Sequence, residues 1–322
     1  MLVKRIVAAL VLGAAAAAPA AFAQAWPTQP LRIIVGFPPG GVADAIPRYL
    51  QKELGDLIGQ SVVVENKPGG AGIIAMSAIA QATDNHTIGI MTLQNQIVPA
   101  TGASLPYDPR RDMQGLVLFG QTASILTVHT SLPIKNVPEL IAYAKQNPGK
   151  LAFATSGNAT GQHFATESLK LGAGIDIVHV PYKGVAPAYV DVLAGRVPVM
   201  FMTYGSGKQH WESGKVRPLA VSTPTRFALM PELPTMAEAS GIADFSLIEW
   251  FALVAPASMP RAAMERVHKA VVTILSKPEH AQFNTKYGLV YEPMTIDQTN
   301  AFLQNQLERM TTIARRANIK LD

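Results

Sequence analysis

Two glycine-rich turns carry the chemistry this sequence is built to do. The first, Phe37-Pro38-Pro39-Gly40-Gly41, ends the apolar run Ile33–Val35 and leads through Ala43 and Asp44 into a segment with apolar residues at Ile46, Leu50, Leu54, Leu57 and Ile58. That spacing is helical rather than alternating, and a β-rich run, Ser61–Val64, follows it. A helix that starts at the mouth of a sheet offers its unpaired N–H groups to an anion, with no charged side chain required. The second turn, Ser156-Gly157-Asn158-Ala159-Thr160-Gly161, follows the apolar strand Leu151–Thr155 and precedes a helix over Gln162–Leu171. Ser156 and Thr160 supply hydroxyl donors suited to carboxylate oxygens, and both also suit a helix cap. Asp44 reads equally as a cap and as a group that orients or rejects part of a ligand.

Other chemistries lack their residues. The second turn is no phosphate loop, because Gln162-His163 stands where a Lys-Ser/Thr pair is needed after Gly161. There is no Cys, which excludes disulfides, thiolate catalysis and Cys-based metal sites. The 7 His are scattered, without an i, i+4 His pair or an HExxH frame, so neither a metal nor another cofactor is expected. Gly205-Ser206-Gly207 lacks the spacing of a nucleophile elbow, and Ser156 with His163 lacks an orienting acid. A binding protein is therefore favoured over an enzyme acting on a carboxylate or ester; a binding lobe that feeds a sensor is a variant of the same reading. Lys183 reads both as a partner for a ligand carboxylate and as a solvated surface lysine.

Elements that position the turns alternate between strand and helix. Met1–Ala23 carries Lys4 and Arg5, an apolar core from Ile6 to Ala18, and Ala21-Phe22-Ala23, the pattern of a secretory signal cut before Gln24. Net charge is +5, or +3 without Lys4 and Arg5, and no Lys/Arg block is interleaved with aromatics, so nucleic acid is not an expected partner. A content of 48% hydrophobic and 15% charged residues suits a compact exported protein. Helices are expected at Gly72–Ala82, Val137–Gln146, Ala186–Ala194, Arg261–Ser276 and Ile296–Ala317. Strands are expected at Thr87–Met91, Leu116–Phe119, Ile125–Val128, Ile177–Pro181, Val197–Met202, Arg217–Ser222 and Leu289–Glu292. Gly120–Ser124, small and polar, reads as a crossing between lobes, and Pro47 is placed in the first turn of its helix. This order gives α/β layers with mainly parallel sheets, whose ligands sit at the carboxyl ends of strands.

Several segments together resemble the substrate-binding proteins of tripartite tricarboxylate transporters, the Bug or TctC-like family. They are Trp26-Pro27-x-x-Pro30, Ile33–Asp44, Val62–Gly69, Ser156–His163, His179–Gly184, Gly214–Val221, Leu233-Pro234-Thr235-x-x-Glu238 and Trp250–Pro256. The resemblance implies a two-lobed periplasmic binding protein fold (type II), with the ligand cleft between the lobes. The implied division is a signal peptide at 1–23, lobe 1 at 24–122 and 223–322, and lobe 2 at 123–222. It also implies a monomer that captures a small carboxylate (dicarboxylate, tricarboxylate, amino acid or aromatic acid) and hands it to membrane transporter subunits. Carried over, the binding residues fall in Phe37–Asp44, including Gly40, Gly41, Ala43 and Asp44, and in Thr155–His163, including Thr155, Ser156, Gly157, Thr160 and His163. Side-chain specificity is expected from Gln94, Asn95, Thr203 and Tyr204, and from Trp250 and Phe251 if they reach the cleft. Thr203 stands where many relatives have Asp, Asn85-His86 replaces a common Gly-Tyr, and Ala252 stands where Gly is usual.

Overall fold

The computed structural model describes residues 26–321; the signal-peptide segment lies outside the described residues. The chain runs β1 (Leu31–Val35), α1 (Val42–Ile58), β2 (Val62–Asn66), α2 (Ile73–Ala80), β3 (Thr87–Thr92), α3 (Leu93–Ala100), β4 (Met113–His129), α4 (Val137–Gln146) and β5 (Ala152–Thr155). It continues as α5 (Gly161–Ala173), β6 (Val178–Pro181), α6 (Val185–Leu193), β7 (Val199–Thr203), α7 (Tyr204–Glu212), β8 (Val216–Val221) and α8 (Met236–Ser240). It closes with β9 (Ile248–Pro256), α9 (Arg261–Leu275), α10 (Pro278–Tyr287) and α11 (Ile296–Ala317).

The strands lie in the order β2-β1-β3-β9-β4-β7-β5-β6, with β8 also on β4. Parallel pairing occupies the two wings, β1 with β2 and β3, and β5 with β6 and β7. The two wings, each with its parallel strands as expected, meet through an antiparallel centre. The cause is topological: β4 carries the chain from one wing to the other and β9 brings it back, so the two must run in opposite directions.

β4 is one strand of 17 residues where two short runs and a connection were expected. Its Met113–Ala123 stretch pairs with β9, and Ser124–His129 pairs with β7 and β8. Gly120 is small because Leu289 packs over it, 3.3 Å from where a Cβ would stand. Two register shifts, at Gly115/Val117 and Leu118/Gly120, bend the strand as it crosses. Three passes are tied at the change of partner: Ser222 N–H donates to Ser124 O at 2.8 Å, Ser222 Oγ donates to Leu247 O at 2.6 Å, and Leu247 N–H returns to Ser222 O at 2.8 Å.

Apolar faces fix the helices to the sheet. Ile46, Leu50, Leu54 and Ile58 of α1 bury against β1 and against Met264, Val267 and Val271 of α9. Leu57 is 45% exposed, so the buried stripe of α1 is narrower than its sequence suggests. Pro47 lies in the second turn of α1 rather than the first, because the helix already begins at Val42. A second cluster joins Phe153, Phe164, Trp250, Leu303 and Leu307, with α11 lying across α3, β4 and α5. The expected strand Leu289–Glu292 reduces to a single bridge between Val290 and Gln121. Helices α3, α7, α8 and α10 and the strand β9 were not read from the sequence. Pro99 inside α3 and Gly205 and Gly207 inside α7 hide their periodicity.

Candidate ligand-binding cleft

The first turn is held in shape by Asp44. Its Oδ2 accepts from Gly40 N–H (3.0 Å) and Arg48 Nε (2.9 Å), and its Oδ1 accepts from Arg48 Nη2 (2.9 Å) and Asn66 Nδ2 (2.8 Å). The Arg48 fork, followed by Asn66 and the Gly40 amide, lowers the buried carboxyl from 3.8 to about 2 against the cost of its burial. Asp44 thus anchors the turn to α1 and β2, with its acceptors already filled. Asn66 also donates to Phe37 O at 3.0 Å, fixing the other end of the turn.

Gly40 has φ 101, a conformation that favours glycine, whereas Gly41 has φ −84 and is ordinary extended backbone at the start of α1. A Cβ at either residue would meet nothing within 4 Å, so this face of the turn is open. The N–H groups of Gly41, Val42 and Ala43 find no acceptor among the described residues. Unpaired N–H groups at a helix start suit an anion. Phe37 is half-buried against the α1 cluster, and Ala43 is buried.

The second turn is braced internally. Thr155 Oγ1 donates to Gly157 O (2.9 Å) and lies 2.7 Å from His179 Nε2, and Thr160 Oγ1 donates to Gly157 O at 3.0 Å while capping α5 through His163 N–H. Gly157 holds φ 147. Ser156 N–H donates to Gln162 Oε1 at 2.7 Å, and Ala159 N–H donates to His163 Nδ1 at 3.2 Å. The hydroxyl of Ser156 has no partner among the described residues, nor do the N–H groups of Thr160, Gly161 and Gln162. Of the two hydroxyls singled out in the sequence, Thr160 caps the helix and Ser156 is available. The His163 ring stacks on His179 at 4.0 Å, and burial, then the neighbouring His163, pushes His179 down to about 4.

The remaining candidates divide. Gln94, at the start of α3, reaches across to donate to Ala159 O at 3.0 Å, so α3 and the second turn are in contact. Asn95 is buried and closes the capping box of α3 with Thr92. Thr203 Oγ1 lies 2.7 Å from Ser206 Oγ, which in turn meets Tyr189 OH at 2.6 Å. The Tyr204 ring packs on Phe227 and Trp211 in an apolar cluster. Trp250 is fully buried, edge-on to Phe302 of α11, and Phe251 packs into the α1 cluster, so both serve packing. Lys183 is exposed.

Sequence reasoning missed Glu249. It stands on β9 opposite Thr122 of β4, and a Cβ on Gly161 would collide with its Oε1. Burial alone raises its carboxyl from 4.5 to about 7. The signal in the sequence was a single acid inside the apolar stretch Phe245–Pro256, flanked by Ile248 and Trp250.

Residues 46–319 match the model of the tripartite tricarboxylate transporter family receptor, TctC. The chain belongs to this family. Its members are periplasmic solute-binding proteins, and the chain shares their two-lobed α/β fold. A Pseudomonas protein encoded between tcbD and tcbE is 35% identical over 266 residues, covering 82% of this chain and 79% of the relative. Protein BugT of Bordetella pertussis is 32% identical, covering 93% and 92%. A Rhodopseudomonas palustris protein solved with adipate is 30% identical, with a TM-score of 0.76 over 92% of this chain and 99% of the other. The departures noted above have local explanations in part. Asn85 holds φ 56 where Gly is usual, and His86 stacks on Trp26 with ring centroids 5.5 Å apart.

Proposed function

We propose that this receptor captures a small carboxylate between the turn at Gly40–Asp44 and the turn at Thr155–His163, and delivers it to a tripartite tricarboxylate-type transporter in the membrane. One observation carries the reading. Two helix starts, on different wings of the sheet, each present three backbone N–H groups without an acceptor among the described residues, beside the unpartnered hydroxyl of Ser156. Convergent helix N-termini favour an anion, and an anion held from both sides draws the lobes together. The adipate bound by the Rhodopseudomonas palustris relative supports a carboxylate of this size. We assign residues up to 122 and from 223 onward to one lobe and 123–222 to the other, on the change of β4 partners between Ala123 and Ser124.

In this reading the chain is a monomer without catalytic activity, exported by a signal removed before Gln24. A thermal-shift screen of mono-, di- and tricarboxylates, amino acids and aromatic acids tests it. At least one carboxylate is expected to raise the melting temperature, in the presence of chelator, and to be recovered chemically unchanged. No shift with any of them, or conversion of the added compound, contradicts it. Intact mass of protein recovered from the periplasm should show the chain beginning at Gln24.

A further inference from the structure

Glu249 stands beside the second turn, and the reading above leaves its chemistry unused. It sits on β9, where the chain returns between the wings; the residue is half-buried, and desolvation raises its carboxyl to about 7. Among the described residues it has neither a hydrogen bond nor an ion pair. Its Oε1 lies over Gly161, the first residue of α5, so closely that any side chain there would displace it, and Leu93 of α3 stands 3.3 Å from the same point. Directly across the ladder, Thr122 is 6% exposed and its Oγ1 is also without a partner. Cross-strand neighbours share a face of the sheet, so an unpartnered acid and an unpartnered buried hydroxyl stand side by side at the start of the helix that the ligand is to cap. Buried polar groups are rarely left unpaired without a function.

We propose that Glu249 is part of the ligand site and takes up one proton when a carboxylate seats at the start of α5, then donates a hydrogen bond to that bound anion. The inference rests on the carboxylate-binding reading above. Two ionised carboxylates repel strongly in one desolvated pocket, and among the described residues no Lys or Arg forms an ion pair with Glu249. On β4 the facing residue is Thr122. On α3 the nearby groups are Leu93 and Gln94. On α5 the titratable groups are His163, stacked on His179, Glu167 at 3.9 Å from the His163 Nε2, and Lys170 paired with Glu167. Burial moves the Glu249 titration to near neutrality. The proton therefore comes from solvent, Glu249 passes from carboxylate to carboxylic acid, and the ligand keeps its charge for the helix start.

The experiment is isothermal titration at pH 6 and pH 8 with wild-type protein and Glu249→Gln, using as probe the carboxylate of the panel (adipate, malate, citrate, glutamate, benzoate) that gives the largest melting shift at pH 6. The expected result is affinity about tenfold weaker at pH 8 than at pH 6 for wild type, the slope of one linked proton. At pH 8, titration in buffers of different ionisation enthalpy should show close to one proton taken up per ligand. Glu249→Gln, which keeps a donor without a charge, should bind within a few-fold of wild type at pH 6 and lose the pH dependence. A flat wild-type profile overturns the inference. So does a slope that persists in Glu249→Gln, which would place the proton on His163 or His179. Binding that tightens toward pH 8 also overturns it, because that is the sign of a ligand ammonium on ionised Glu249. If no carboxylate of the panel binds at pH 6 to protein that unfolds cooperatively, the site reading itself falls and the inference with it.

Discussion

Asp44 shows what a single residue type can and cannot announce. Its place just after Gly41 suggested a cap or a ligand group, and only the three-dimensional neighbours decide: Arg48 one turn on, and Asn66 from β2, fill its oxygens. The sign of its pH dependence follows from a folded value of about 2 against 3.8. The stabilisation is present above pH 4 and is lost as the pH falls through 2. Asp44→Asn should cost about 1–2 kcal/mol at pH 7, discounted for the half-exposed Arg48, and progressively less toward pH 2. Urea denaturation at pH 7 and pH 3 checks it; an equal cost at both would contradict the assignment. Glu249 has the opposite sign, since burial raises its pKa to about 7. Its folded-state penalty grows between pH 4.5 and 7 and is full above that, so Glu249→Gln should gain stability at pH 8 and little at pH 4. Which glycine needed a positive φ was not legible either. Gly40-Gly41 reads as a pair, but only Gly40 adopts it.

At the scale of elements, legibility followed local signals. The bounds of Val137–Gln146 and Ile296–Ala317 matched because Asn136 and Thr295 are caps whose side chains accept from the third helical residue. Thr295 forms a full capping box with Gln298, and Thr295→Ala should lower stability by about 1 kcal/mol, read as a shifted denaturation midpoint at unchanged slope. Elements set by long-range pairing escaped. β9 has no period-2 alternation because it is buried on both faces between β3 and β4, and Gly120–Ser124 looks like a loop until β9 pairs with Gly120–Ala123 and β7 with Ser124. The helix α7 is short and opens on Tyr204-Gly205-Ser206-Gly207, a composition that reads as a turn.

For the whole molecule, the alternation of strands and helices gave the α/β class, and the two turns suggested the carboxylate proposed as ligand, since both depend on local sequence. The antiparallel centre depends on how one long strand and its returning partner are shared by two wings, and no window of sequence contains that information. In the proposed mode of capture, closure and binding are one event. A single helix start offers a few solvent-screened hydrogen bonds; bringing the second against the same anion excludes water and strengthens both sets. The most direct measurement is titration of Gly41→Val and Ser156→Ala with the carboxylate that stabilises the wild type best. Gly41→Val places a side chain on the open face of the first turn, and Ser156→Ala removes the unpartnered hydroxyl of the second. With Gly41 at φ −84, neither change strains the backbone, so both variants should unfold close to wild type. Each should weaken binding by roughly 1–3 kcal/mol, the loss of a hydrogen bond to a charged group. Unchanged affinity in both variants, with cooperative unfolding intact, would place the ligand elsewhere and contradict capture between the two turns.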